Sequence, residues 1–303
     1  DMDAEVQDVL MKLQRYGNSF GQSAKARAKW TKDLGFPVKD ARQEPVEYLW
    51  FVGDYASFDP RALEITKKTA EVLHALGIDF GLLYEKEKNA GNDARRIGEE
   101  GLFEMLRDGN LQELESAQFQ TILTTDPHTY HVLKNEYGFP LKTNGESFSP
   151  PILHYTELFE RLMTEGRIPS RRPLDLAVTY HDPCYLGRYN GIFESPRRVL
   201  SGLGAHLVEM PQNRADSFCC GAGGGRIWMK DLPGVTERPA ARRIREALDL
   251  PDVPVFVTAC PKDYAMFGDA LKTVGAEERL RVADVSELVH EAMAIQEQET
   301  VTS

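Results

Sequence analysis

Four cysteines occur in the 303-residue chain: Cys184, Cys219, Cys220 and Cys260. Cys184 closes the run His181-Asp182-Pro183-Cys184, and the adjacent pair opens Cys219-Cys220-Gly221-Ala222-Gly223-Gly224-Gly225. Intervals of 34 and 39 residues separate the pair from Cys184 and from Cys260, which is followed by Pro261. Thiolates gathered at one point suit tetrahedral zinc or an iron–sulfur cluster. Structural zinc sites favour close Cys-x2-Cys pairs, and this chain has none. Neighbouring cysteines point in different directions and chelate one small ion poorly; two irons of a larger cluster suit them better. The glycines that follow permit unusual dihedrals and expose N–H groups to an anion, which a thiolate-ligated cluster is. The pattern favours a cluster, with zinc and a metal-free arrangement as alternatives. Disulfides are the weaker reading, because a chain of this length needs no staples and shows no secretory signal.

Cysteines this far apart meet only if the fold brings their loops together. Short apolar runs alternate with helical patterns, which predicts an α/β fold. Strands are expected over 48–52, 79–83, 120–124, 176–180, 206–209 and 255–258, and helices over 61–76, 94–106 and 236–248. The loop 138–151 is the expected boundary between halves. The chain also repeats itself. With Asp54 placed on Cys184, a gap-free register of 35 residues puts Asn89 on Cys219, Ala90 on Cys220 and Gly91 on Gly221. Further on, Asp126 falls on Cys260, Pro127 on Pro261 and Thr129 on Asp263. The expectation is two pseudo-twofold-related α/β halves from an internal duplication, each with a small, mainly parallel sheet. In such sheets the loops at the carboxyl edge form the ligand crevice, and all four cysteines lie on the corresponding loops of the second half.

The formal charge of −11 and the pI near 5.2 argue against nucleic acid as a partner. No apolar run reaches the ~18 residues of a membrane span. The polar, acidic start, at Asp1 rather than Met, is read as that of a fragment or processed product, without a signal peptide.

The signature HDPC, CCGAGGG and Cys260-Pro261 resembles the CCG-domain (cysteine-rich domain) iron–sulfur proteins of the heterodisulfide reductase type. The stretches GDYASFDPRALEIT, NDARRIGEEGLFEML, DPHTYHVLKNEY and YHDPCYLGRYNGIFESPRRVL most resemble the iron–sulfur part of electron-transfer-flavoprotein:quinone oxidoreductases. The resemblance implies a helical linker over 1–44, a degenerate CCG half without cysteines over 45–150, and a cluster-binding CCG half over 151–303. It implies one [4Fe-4S] cluster held by Cys184, Cys219, Cys220 and Cys260, with Asp263 as a candidate additional ligand. A non-cubane [4Fe-4S] form and zinc are the alternatives. The implied function is an electron-transfer component of an oxidoreductase complex, with a flavoprotein and a ferredoxin-like or membrane subunit as partners. Its implied location is cytoplasmic, peripheral to the inner face of the membrane. A catalytic component like that of heterodisulfide reductase and a zinc scaffold are the rival functions. Where some members of the family carry a fifth cysteine, this chain has Asp263, which counts against the non-cubane form.

Other residues have plainer readings. His181 is expected as a strand-end histidine bonded to backbone, and Asp263 as a solvated residue. His128 and His131 stand near Asp126 at zinc-like spacing, although a helix start explains Asp126-Pro127-His128-Thr129 without metal. Arg226 is a candidate to offset cluster charge, Trp228 is expected to pack, and the charged helix 237–248 is expected to be a solvated face.

Overall fold

Val255–Thr258 is buried at every residue, as a continuous apolar run should be in a parallel strand covered on both faces. It is one of eleven described strands in a computed structural model that describes residues 2–143, 146–231 and 233–295. The first half contains β1 (Lys39–Asp40), β2 (Val46–Trp50), β3 (Phe80–Leu82), β4 (Phe119–Thr124), the antiparallel hairpin β5 (Leu141–Thr143) and β6 (Glu146–Phe148), and β7 (Ile152–His154). The second contains β8 (Ala177–Tyr180), β9 (His206–Leu207), β10 (Val255–Thr258) and β11 (Arg281–Asp284). The main sheets run β1-β3-β2-β4-β7 and β11-β10-β8-β9, and every pairing in them is parallel.

Apart from the added edge strand β1, the two sheets share one plan: second, first, third, fourth strand. The strand order therefore reverses between β2 and β4 and again between β8 and β10. Loops at such a reversal part in opposite directions and leave a crevice at the carboxyl edge. Local chemistry starts the helices there. Asp59 caps helix Pro60–Ala75 by accepting from the N–H groups of Arg61 and Ala62, and Asp126 caps helix Pro127–Asn135 in the same way. Both helices carry proline at the first position, where its missing N–H costs nothing. One buried cluster joins the halves, with Trp50, Leu73 and Leu123 meeting Tyr155, Val178, Val257 and Leu288.

The structure departs from the sequence expectations in several places. The expected helix 94–106 is two helices, Asn92–Ile97 and Glu100–Ser116, separated at Gly98, whose φ of 98° is a left-handed stop. The expected strand 206–209 shortens to two residues, and the helix expected from 236 begins at Pro239. The loop 138–151 contains the β5–β6 hairpin, and β7, beyond residue 150, completes the first sheet. Residues 1–44 hold helix Ala4–Tyr16, two 3-10 turns and β1. Val6, Val9, Leu10 and Leu13 of that helix pack on Ala94 and Leu106. The charged helix is not wholly solvated: Arg243 is completely buried and bonds the carboxylate of Glu246 at 2.6 Å.

Candidate metal centre

The cysteines are presented by three loops. After β8, Asp182 binds Arg197 through two hydrogen bonds of 2.6 and 2.9 Å and accepts from the N–H of Arg214 at 2.7 Å. That fixes the turn carrying Cys184. After β10, Cys260 stands at the cap of helix Pro261–Val274, where Asp126 stands in the first half. Its sulfur lies beside the N–H groups of Lys262 and Asp263 but accepts no capping hydrogen bond from them. Between these loops, Gly221 N–H donates to Cys219 Sγ and Ala222 N–H to Cys220 Sγ, each at 3.3 Å. This turn needs glycine at 221, where φ is 83° and a Cβ would lie 3.0 Å from Pro239.

Cys184 and Cys220 each lie against Cys219. Hydrogen bonds from Cys184 and then Cys220 push Cys219 far below the ordinary thiol range. The same bond to Cys219 pushes Cys184 upward, with burial and the charges of Asp263 and Cys260 adding to it. Cys220 is pushed up by its bond to Cys219 and by burial, and Cys260 by burial. Four thiolates are not stable together here without a cation, which is the condition a metal group relieves.

Asp263 is not solvated: it is 2% exposed and lies against Cys220. Burial pushes its carboxyl up to about 7. Its Oδ2 sits 3.5 Å from His181 Nε2 and has no hydrogen-bond partner among the described residues. The bond of His181 to backbone runs from its main-chain N–H to Val257 O, and ring Nδ1 has no partner among the described residues. His128 Nε2 is a third such buried atom. Four sulfurs, two N–H···S contacts at the cysteine pair and these three unused polar atoms fit a soft, multi-atom metal group better than one hard ion.

The matching site of the first half keeps the backbone and replaces the sulfur. Gly91 N–H donates to Asn89 Oδ1 at 2.8 Å, as Gly221 does to Cys219. Asn89 donates to Asp54 at 2.6 Å, and Asp54 also accepts from Ser19 N–H, Ser19 Oγ and Arg27. Arg27 bonds Glu87 at 2.9 Å, and Glu87 accepts the N–H groups of Val52 and Gly53. These buried charges are paired and hydrogen-bonded, the condition under which burial is tolerated. The space left among Asp54, Asn89, Asp126 and Lys262 is about 20 Å³, room for one water.

The sequence reading missed the residues that cross between halves. Lys262 reaches Asp93 at 2.9 Å, and Asp93 also accepts from Trp228 Nε1 at 3.2 Å and from Gly225 N–H at 3.3 Å. The first half thus anchors the glycine run beside the cysteine pair. A signal was present: a lysine in the first turn of a helix opposes the helix dipole, so it needs a specific anion. Trp228 does pack, with Phe20 and Tyr55. Arg226 turns to Met229 O and Asp231. His131 leaves the expected trio: its ring lies 3.2 Å from Glu136 and against Tyr185. In its place, one ligand atom each from Asp126, His128 and Cys260 lie within 4.8 Å of one another.

The chain is similar to known proteins. The chain is 36% identical over 299 residues to a probable iron–sulfur-binding oxidoreductase, FadF, of Bacillus subtilis, covering 96% of this chain and 41% of that protein. It is 33% identical to EtfAB:quinone oxidoreductase of Syntrophomonas wolfei, covering 97% of this chain and 41% of the relative. It is 28% identical to one component of the dihydromethanophenazine:CoB–CoM heterodisulfide reductase of Methanosarcina barkeri, covering 93% and 66%. The chain thus spans about two fifths of the length of the first two. The family model of the cysteine-rich CCG domain matches twice, at residues 48–134 and 178–268. Those two matches fall on the two halves of the fold, one with cysteines and one without, and the chain belongs to the CCG cysteine-rich domain family as an internal duplication.

Proposed function

We propose that Cys184, Cys219, Cys220 and Cys260 hold one [4Fe-4S] cluster, and that the chain is the iron–sulfur electron-transfer module of a larger oxidoreductase. The observation that carries this reading is that Cys184 and Cys220 each lie against Cys219, with Cys260 on the neighbouring loop, in a half where two N–H groups donate to sulfur. When bound, such a cluster accepts and gives up single electrons. The residues of the chain hold it, donate hydrogen bonds that tune it, and exclude water: Cys220 and Cys260 are 3% and 0% exposed. The names of the relatives support a flavoprotein on one side and a quinone or another redox centre on the other. A 38% identical relative, a probable membrane-anchored ferredoxin of Chromohalobacter salexigens, supports a ferredoxin-like or membrane subunit as partner and a position peripheral to a membrane. No described helix is long and apolar enough to cross a membrane.

A cluster of the non-cubane form, acting on a disulfide, is the second reading. It is favoured by the buried carboxylate of Asp263 against Cys220 and by the similarity to the heterodisulfide reductase component. The absence of a thiol at 263 places it second. Protein purified without oxygen is expected to be brown and to bleach on reduction, with an electron paramagnetic resonance signal appearing. The reduced protein is expected to lose that signal to an oxidised quinone analogue or flavoprotein, and to leave a disulfide substrate intact. Colourless protein contradicts both readings; turnover of the disulfide favours the second.

A further inference from the structure

We propose that His128, carried by the half without cysteines, supplies a nitrogen ligand to the metal group of the other half, with Asp126 as the carboxylate that orients it. The proposal rests on the cluster reading above, in its non-cubane form. His128 is 4% exposed, and its Nδ1 lies 2.9 Å from Asp126 Oδ1. Asp126 is itself fixed, accepting from the N–H groups of His128 and Thr129 and from Thr129 Oγ1 at 2.8 Å. When Nδ1 donates to the carboxylate, Nε2 is the ring nitrogen left to face a metal. Nε2 has no hydrogen-bond partner among the described residues and is shut away from water. Carboxylate, imidazole and metal in that order are a recurrent way of orienting a histidine ligand.

The ring lies close to all three cysteine loops. A Cβ on Gly223, in the loop of the cysteine pair, would lie 3.6 Å from Nε2. The ring packs on Tyr185, the neighbour of Cys184, with centroids 4.7 Å apart. A ring nitrogen lies within 4.8 Å of Cys260 Sγ. Glycine at 223 keeps the space before Nε2 open.

The duplication supplies a second argument. When Pro127 is placed on Pro261, His128 falls on Lys262. Each half therefore sends the second residue of the same helix across to the other half. Lys262 finds a preformed anion in Asp93, and its pocket is complete. His128 stands between the two sites, lining the small space of the first half and packing on Tyr185 beside Cys184, and its free nitrogen is the unmatched group of that exchange. Four thiolates already fill every iron of a cubane, so the nitrogen of His128 belongs to the non-cubane form, where it stands in for the fifth donor that position 263 lacks as a thiol.

The test uses the intact chain with ¹⁵N-labelled histidine in otherwise ¹⁴N protein, reduced and examined by pulsed electron paramagnetic resonance. We expect a ¹⁵N coupling of directly bonded imidazole in the native protein, lost in His128→Ala and His128→Gln and retained in His181→Ala. Both His128 variants should keep most of their iron, because the thiolates remain. A cluster without ¹⁵N coupling in the native protein overturns the proposal, and this needs no variant to fold. Coupling that survives His128→Gln, or that disappears in His181→Ala alone, assigns the nitrogen elsewhere and overturns it as well. Protein without iron or sulfide overturns the cluster reading itself, a different result from a cluster without coupled nitrogen.

Discussion

Asp263 and Asp54 show what one residue does in each half. Asp263 is buried against Cys220 with an unused oxygen. If that oxygen faces a metal, Asp263→Asn should shift the electron paramagnetic resonance spectrum, since an amide is a poorer donor than a carboxylate. Asp263→Cys should shift it further, by offering a fifth thiolate. Unchanged spectra in both variants, with the new thiol freely alkylated, would place residue 263 away from the cluster. Changing Cys219 or Cys220 singly to Ser should remove or destabilise the cluster, and full iron content in either variant would contradict four-cysteine ligation. Asp54 pairs with Arg27, so Asp54→Ala should cost about 3 kcal/mol or more by leaving a buried charge short of its partner. The iron bound per folded molecule should not change; a loss of iron in that variant would mean that the first half also holds metal. Of these residues, the cysteines were legible in the sequence because spacing and repeat register both single them out. The burial of Asp263 was not, because an aspartate in the first turn of a helix is usually solvated. The other two loops of its own half, which bring Cys220 and His181 against it, make this one an exception.

Elements place these residues, and their legibility followed length and pattern. The buried run Val255–Thr258 was read to the residue, because a continuous β-branched and aromatic stretch has one ready explanation. The edge strand β1 has two residues and β7 has three; their pairing is decided by neighbouring strands rather than by any local signal. Gly98 split a helix that the apolar spacing made continuous. The start of helix Tyr155–Thr164 makes a pH prediction. His154 is fully buried, with Nδ1 2.7 Å from Thr156 Oγ1 and Nε2 3.3 Å from Thr125 O, and burial pushes it down to about 3. Between its unfolded value near 6.5 and that folded value, the unfolded chain binds the proton and the folded chain does not. The stability it contributes is therefore complete above pH ~6.5 and is lost as the pH falls toward 3. Denaturant midpoints of the native protein should fall more steeply from pH 7 to pH 5 than those of His154→Gln. Equal slopes would show that His154 takes up its proton without unfolding. Lys262→Met tests the crossing between helix Pro261–Val274 and the first half. It leaves Asp93 buried and unpaired, so a loss of about 3–5 kcal/mol is expected in denaturant unfolding. A loss under ~1 kcal/mol would mean that Asp93 is satisfied without it.

At the scale of the molecule, a duplicated fold has kept one sheet plan and two chemistries. Where the second half gathers sulfur, the first gathers carboxylate, amide and guanidinium that satisfy one another. The shared core and the Lys262–Asp93 contact make the first half part of the wall of the second half's site. The duplication was legible in the sequence because the register needs no gap from Asp54 to Asn89. The exchange of side chains between halves was not, because it depends on how two sheets pack. The central claim is that the cysteine-bearing half holds one iron–sulfur cluster and the other half none. Metal and acid-labile sulfide analysis of protein purified without oxygen tests it most directly. The account predicts about four iron and about four sulfide per chain, without zinc. One zinc per chain with no sulfide, or about eight iron per chain, would contradict it.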